Sequence, residues 1–308
     1  MDLEALANQD SYKIRRELLL EALEFKETLL KRNRFFVSHP FLDRIIKSID
    51  NIDSPLSPFQ TKYIEENTEL FRARICDEQT LASMQFEYID VSASFLAKKA
   101  REQLLTHDIT SFEDPKCFRG YNAINSYIPP EHIKTPDGRI NPQYIRYLYT
   151  ARDAYTALVE CRPMLNSYVS IAKILVKRPL TIIELPSQAQ FNDIEYLINN
   201  GFEIKYLSSI IHSIFSTPCS GELKDYLPAQ YISEYIKSLD NGTRFDGICF
   251  ESALNRSGMN ITIFNHEKCC AVSSQVFKVN DIQFEAQCVL PYKSSKFSPS
   301  QTHSCEET

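Results

Sequence analysis

The chain has 308 residues, 43% hydrophobic and 24% charged, with a net charge of −6 at pH 7. This fits a soluble globular protein with a real core and argues against a surface that coats nucleic acid. The seven glycines form no G-x-x-x-x-G-K or G-x-G-x-x-G pattern, which disfavours a P-loop NTPase or a Rossmann dinucleotide fold. The nine cysteines are scattered apart from Cys269-Cys270, with no C-x-x-C pair and no Cys/His cluster. They read as reduced thiols with no metal site. The start of the chain is acidic and lacks the apolar run of a signal peptide. No stretch of 18 apolar residues suggests a membrane span. The expectation is a cytoplasmic protein with no membrane or nucleic-acid partner.

In chain order, residues 12–31 read as an amphipathic helix, with Ile14, Leu18, Ala22, Phe25 and Leu29 on one stripe. PFLDRIIKSI, from Pro40, reads as a second helix with proline in its first turn. NIDSPLSP, 51–58, is a turn-rich joint, and a third helix is expected to follow toward residue 70. Residues 1–65 are thus expected as a helical N-terminal domain. From ELFRARI (Glu69 to Ile75) short β-branched runs appear, among them YVSIAKILV, LTIIEL, DGICF and NITIFN. Helices are expected between them at 151–162, near 191–200 and at 229–239, the last with Pro228 at its start. Strands and helices mix without regular alternation, so the fold class is α+β over 66–290. The polar, Ser/Thr-rich segment 291–308 reads as a disordered tail.

One helix carries an anomaly. GRINPQYIRYLYTARDAYTALVECRP runs from a loop through a short strand ending at Tyr149 into a helix closed by Pro163. Glu160 lies in its last turn, where an anion is mildly unfavourable. Ala154, Ala157, Leu158 and Cys161 form the expected core stripe, which puts Asp153, Thr156 and Glu160 on the solvent side and makes Cys161 a packing residue. Arg72 and Arg74 alternate on one strand and share a face, either exposed or as an anion clamp. Arg139 sits in a punctuated loop, solvated or pointing into a pocket. Ser252 follows a buried strand without a G-x-S-x-G elbow. The six histidines are isolated, so chemistry built on a His base is not favoured.

Taken in order, FRAR, GRINP, LYTARDAYTALVECRP, VSIAKILV, LTIIEL, YLPAQYISEYIK, FDGICFES and SGMNITIF resemble the RES domain family from about residue 69 to about 265. The resemblance implies an ADP-ribosyltransferase-like fold with mixed sheets and flanking helices, preceded here by a small helical domain. It implies action on NAD+ as substrate, with no cofactor or metal and inorganic phosphate as a candidate co-substrate. The implied catalytic residues are Arg72, Tyr149 and Glu160. The implied NAD+-binding residues are Arg74, Arg139, Asn141, Gln230, Ser252 and Asn260. The chain departs from the family pattern at Gln143-Tyr144, where many members have glycine, at Ser257-Gly258 for Gly-Gly, and at Ala229 for threonine.

Cleavage of the nicotinamide–ribose bond builds positive charge on the ribose, as in glycoside cleavage, and a carboxylate stabilises it. Arginines suit the pyrophosphate. The expected activity is NAD+ phosphorolysis or hydrolysis of a toxin-like kind, with an antitoxin protein as expected partner and a homo-oligomer as a candidate state. The alternatives are a protein ADP-ribosyltransferase and a non-catalytic binding protein with a degenerate RES fold.

Overall fold

The computed structural model describes residues 3–54, 56–76, 120–187, 194–218, 222–255 and 257–282. The expected 291–308 tail lies outside them. Six α-helices and one eight-stranded sheet make up the described fold. Helices α1 (Leu3–Lys31) and α2 (Pro40–Asp50) come first, then strands β1 (Gln60–Ile64) and β2 (Glu69–Ile75). There follow α3 (Ala123–Tyr127), β3 (Leu148–Ala151), α4 (Ala154–Glu160), β4 (Tyr168–Val176) and β5 (Leu180–Glu184). Helices α5 (Ile194–Ser216) and α6 (Leu223–Ser238) precede β6 (Gly247–Glu251), β7 (Met259–Ile263) and β8 (Cys269–Lys278). The strand order is β1-β5-β6-β7-β3-β2-β4-β8. Only β5 and β6 pair in parallel, so the sheet is mixed and the fold α+β, as expected.

Three expectations about elements need correction. The third helix, expected after residue 58, is instead β1, which pairs with β5 from Gln60↔Glu184 to Ile64↔Leu180. QTKYI has no apolar stripe to pack as a helix, whereas an edge strand needs only one partner. The helix expected near 191–200 runs on to Ser216, broken at Gly201. Pro228 lies inside α6, five residues past the first, and not at its start. The lost hydrogen bond there is offset by a face on which Leu227, Ala229, Ile232 and Ile236 are buried.

The sheet separates two apolar layers because successive strand residues face opposite sides. Ile183, Ile248 and Phe250 join Leu18, Phe25, Phe41, Ile45, Phe215 and Ile232 in one cluster, so α1, α2, α5 and α6 cover that face together. Ile182, Cys249, Ile261, Leu148, Leu70 and Ile174 form the second cluster on the other face. The weak point of the sheet is its middle. β2 meets β3 at a single register position, Phe71↔Ala151, whereas it pairs with β4 along its whole length. Arg72 of β2 reaches Tyr149 of β3 across this sparsely paired junction. Among the described residues no helix is long and apolar enough to cross a membrane.

Candidate active site

Glu160 is the last residue of α4 and is only half-buried, yet its carboxylate is tightly held. Ser252 Oγ donates to Glu160 Oε1 at 2.6 Å, and Asn260 Nδ2 donates to the same oxygen at 2.7 Å. Oε2 takes no hydrogen bond among the described residues. Ser252 is itself fixed: its Oγ accepts from the Leu254 and Asn255 backbone amides at 3.1 and 3.0 Å, which makes the end of β6 a tight turn. Asn260 sits in β7 opposite Ala151 and Phe250.

The helical-wheel expectation for α4 is overturned in part: Ala157 of the expected core stripe is buried, but so is Thr156 of the expected solvent side. The fully buried side is Thr156 (0% exposed) with Ala157 (6%), and the Asp153–Thr156–Glu160 ridge faces protein. Asp153 caps the helix, its Oδ1 accepting from Thr156 N at 2.7 Å. Thr156 Oγ1 donates to Asp153 Oδ2 at 2.6 Å and accepts from Asn255 Nδ2 at 2.8 Å. A polar ridge can be buried where each group finds a partner, and the 252–258 turn supplies them. Gly258 is required for this fit, since a Cβ there would lie 2.3 Å from Thr156 Oγ1. Cys161 is half-buried, and burial pushes its thiol up to about 11, the state of a packing residue and not of a nucleophile.

A second cluster clamps the GRINP loop. Tyr149 Oη accepts from the Ile140 and Asn141 amides at 3.1 and 3.2 Å and donates to Asn141 Oδ1 at 2.7 Å. Asn141, 2% exposed, spends its Nδ2 on the Pro136 and Pro142 carbonyls. Gln230, 4% exposed, donates from Nε2 to the Gly138 and Asn141 carbonyls at 2.8 and 3.0 Å. A Cβ at Gly138 would lie 2.3 Å from Asn141 Oδ1 and 2.7 Å from the Tyr149 hydroxyl. Burial raises the Tyr149 phenol to about 12. Tyr144, at φ 71°, holds the left-handed conformation in the stretch where glycine was the expected residue. Arg139 leaves this loop and donates Nη1 to the Ile214 carbonyl of α5 at 3.2 Å.

The two clusters adjoin. Tyr149↔Thr262 and Ala151↔Asn260 are same-face pairs of the β3–β7 ladder, so Tyr149 and Asn260 are diagonal neighbours, roughly 7–8 Å apart. Arg72 reaches the same point from across the β2–β3 junction, donating Nη1 to the Tyr149 carbonyl at 3.2 Å. Its Nε is buried without a partner, and no carboxylate pairs with it among the described residues. Desolvation first, then the Arg74 charge, lowers its guanidinium to about 10. Arg74 stands apart: it lies over the Tyr121 ring, 4.1 Å from the centroid, and donates to the Asn125 carbonyl of α3.

The sequence reading missed one pair. His212 of α5 places Nε2 2.8 Å from Glu251 Oε2, next to Ser252. The two residues are 39 apart in the chain and share no local pattern, so only folding joins them. Asp153 was legible in principle as a helix N-cap, a polar residue immediately before the helix.

The profile of the RES domain family matches residues 116–285, more than half of the chain. The match holds every candidate residue except Arg72 and Arg74, which precede it. No curated protein and no solved structure matched the chain in the comparisons made. From this match, the chain belongs to the RES domain family.

Proposed function

We propose that the chain cleaves the nicotinamide–ribose bond of NAD+, with Glu160 as the catalytic carboxylate. The observation that carries this reading is the paired donation of Ser252 and Asn260 to one oxygen of Glu160. That arrangement aims the other oxygen without further reorganisation, the property wanted where positive charge develops on a ribose. The C1′–N bond breaks with its electron pair leaving on nicotinamide, and phosphate or water adds to C1′. Arg72, a desolvated cation with no carboxylate partner among the described residues, and Arg139 suit the pyrophosphate. Tyr149, Asn141 and Gln230 act through the loop they hold. A cytoplasmic, toxin-like role, restrained by a protein antitoxin, belongs to the same proposal.

The test is nicotinamide release from NAD+ by the purified chain, with and without inorganic phosphate, alongside Glu160→Gln. Release that needs phosphate identifies phosphorolysis, and release without it hydrolysis. Label from NAD+ recovered on protein identifies ADP-ribosyl transfer instead. Wild-type activity equal to that of Glu160→Gln under every condition would overturn the proposal in favour of a binding protein.

A further inference from the structure

Helix α1 is apolar on two sides. Leu18, Phe25 and Leu29 lie in the first core cluster at 2% exposure or less. Nearly opposite, Tyr12, Leu19, Leu20 and Leu23 are exposed at 70, 42, 48 and 59%. At about 100° per residue these four span about 100° of arc. Docking onto a core needs only one apolar stripe. The helix cannot roll to hide the second. Arg44 of α2 holds Glu17 and Glu21 of α1 together with Glu203 of α5. Ser11 Oγ and Tyr206 Oη share a hydrogen bond at 2.5 Å, and Lys26 meets Asp225 at 3.0 Å.

The charges on this stripe point to what covers it. Arg16 lies toward its start and Glu27 toward its end, both exposed. The geometry points to a two-fold homodimer in which this face of α1 packs antiparallel against the same face of a second copy. One register pairs the centre of the stripe and its charged ends. Arg16 faces Glu27 of the partner subunit, Leu20 faces the partner's Leu23, and Tyr12 faces the partner's Lys31 as a cation–π pair. Parallel packing would instead set Arg16 against Arg16 and Glu27 against Glu27. Within one chain Glu27 meets Lys31 at 2.5 Å, but both side chains are more than half exposed, and such a pair yields readily. The loop leaving α1 adds Phe35 and Phe36, exposed at 72 and 98%, with Phe36 at φ 55°, a conformation a bulky residue rarely keeps. In the antiparallel dimer this loop meets the first turns of the partner's α1. The inference is independent of the chemistry proposed above.

The test is sedimentation velocity of the full chain from about 1 to about 100 µM, the range suited to a modest interface. The wild type is expected to be a dimer, and Leu20→Glu with Leu23→Glu a monomer with an unchanged circular-dichroism spectrum. Arg16→Glu and Glu27→Arg are each expected to weaken the dimer about tenfold, and the two together to restore it. A wild-type monomer throughout, or a dimer that survives the leucine changes, would overturn the interface. Failure of the charge swap to restore association would overturn the antiparallel register.

Discussion

The carboxylate corner and the loop clamp adjoin along β3 and β7 but spend their hydrogen bonds differently. In the clamp, the Tyr149 hydroxyl and the Asn141 side chain bond inward to the GRINP loop and to each other. At the corner, Ser252 and Asn260 converge on one oxygen of Glu160 and leave the other without a partner among the described residues. A saturated cluster shapes a loop, whereas an incompletely saturated one is prepared to meet a ligand. Arg72 resembles the corner in this respect, since its charge is desolvated and no carboxylate among the described residues neutralises it.

Glu160→Gln is the sharpest way to break the comparison. The amide oxygen still accepts from Ser252 and Asn260, so Tm should not move, while nicotinamide release should fall by about 10³-fold. Loss of stability in place of activity would make Glu160 another clamp residue. Asn141→Ala should do the reverse. Removing a buried side chain with three hydrogen bonds should cost about 2–4 kcal/mol in urea denaturation. Activity, measured well below the new Tm, should fall less than in Glu160→Gln.

Arg72→Met separates cost from function. Methionine fills similar volume without a desolvated charge, so stability should be unchanged or higher by about 1 kcal/mol. The KM for NAD+ should rise about tenfold with a smaller change in kcat. Equal KM values would remove Arg72 from the binding surface.

The smallest effect is a slope. The Cys161 thiol is raised from 9.0 to about 11, and Cys249 and Cys269 from 9.0 to about 12. Below pH 9 both states keep these protons; above it the unfolded chain releases them first, so stability falls as pH rises. Cys161→Ala should flatten the decline in urea midpoint between pH 9 and 11 and leave NAD+ consumption unchanged.

Much of the sheet was legible because its strands are short apolar runs between turns. YVSIAKILV is β4 from end to end, and ELFRARI is β2. β1 was not legible, since QTKYI is polar and owes its conformation to pairing with β5, more than a hundred residues away. The wheel of α4 misled because it assumes that polar residues seek water. The 252–258 turn offers Thr156 and Glu160 protein partners instead, and those partners lie about a hundred residues downstream. His212 and Glu251 meet for the same kind of reason.

By itself, the sequence determined the residue types and their order: the apolar runs that become strands, the cap and proline that bound α4, and the motifs that carry the family resemblance. These are local properties, written within a few residues. The tertiary structure decided which polar groups are consumed and which are left available. Tyr149 and Glu160 read alike as candidates in the sequence. Folding ties the Tyr149 hydroxyl to the GRINP loop and leaves one oxygen of Glu160 open among the described residues, because hydrogen bonds between distant segments are settled only when the chain closes on itself.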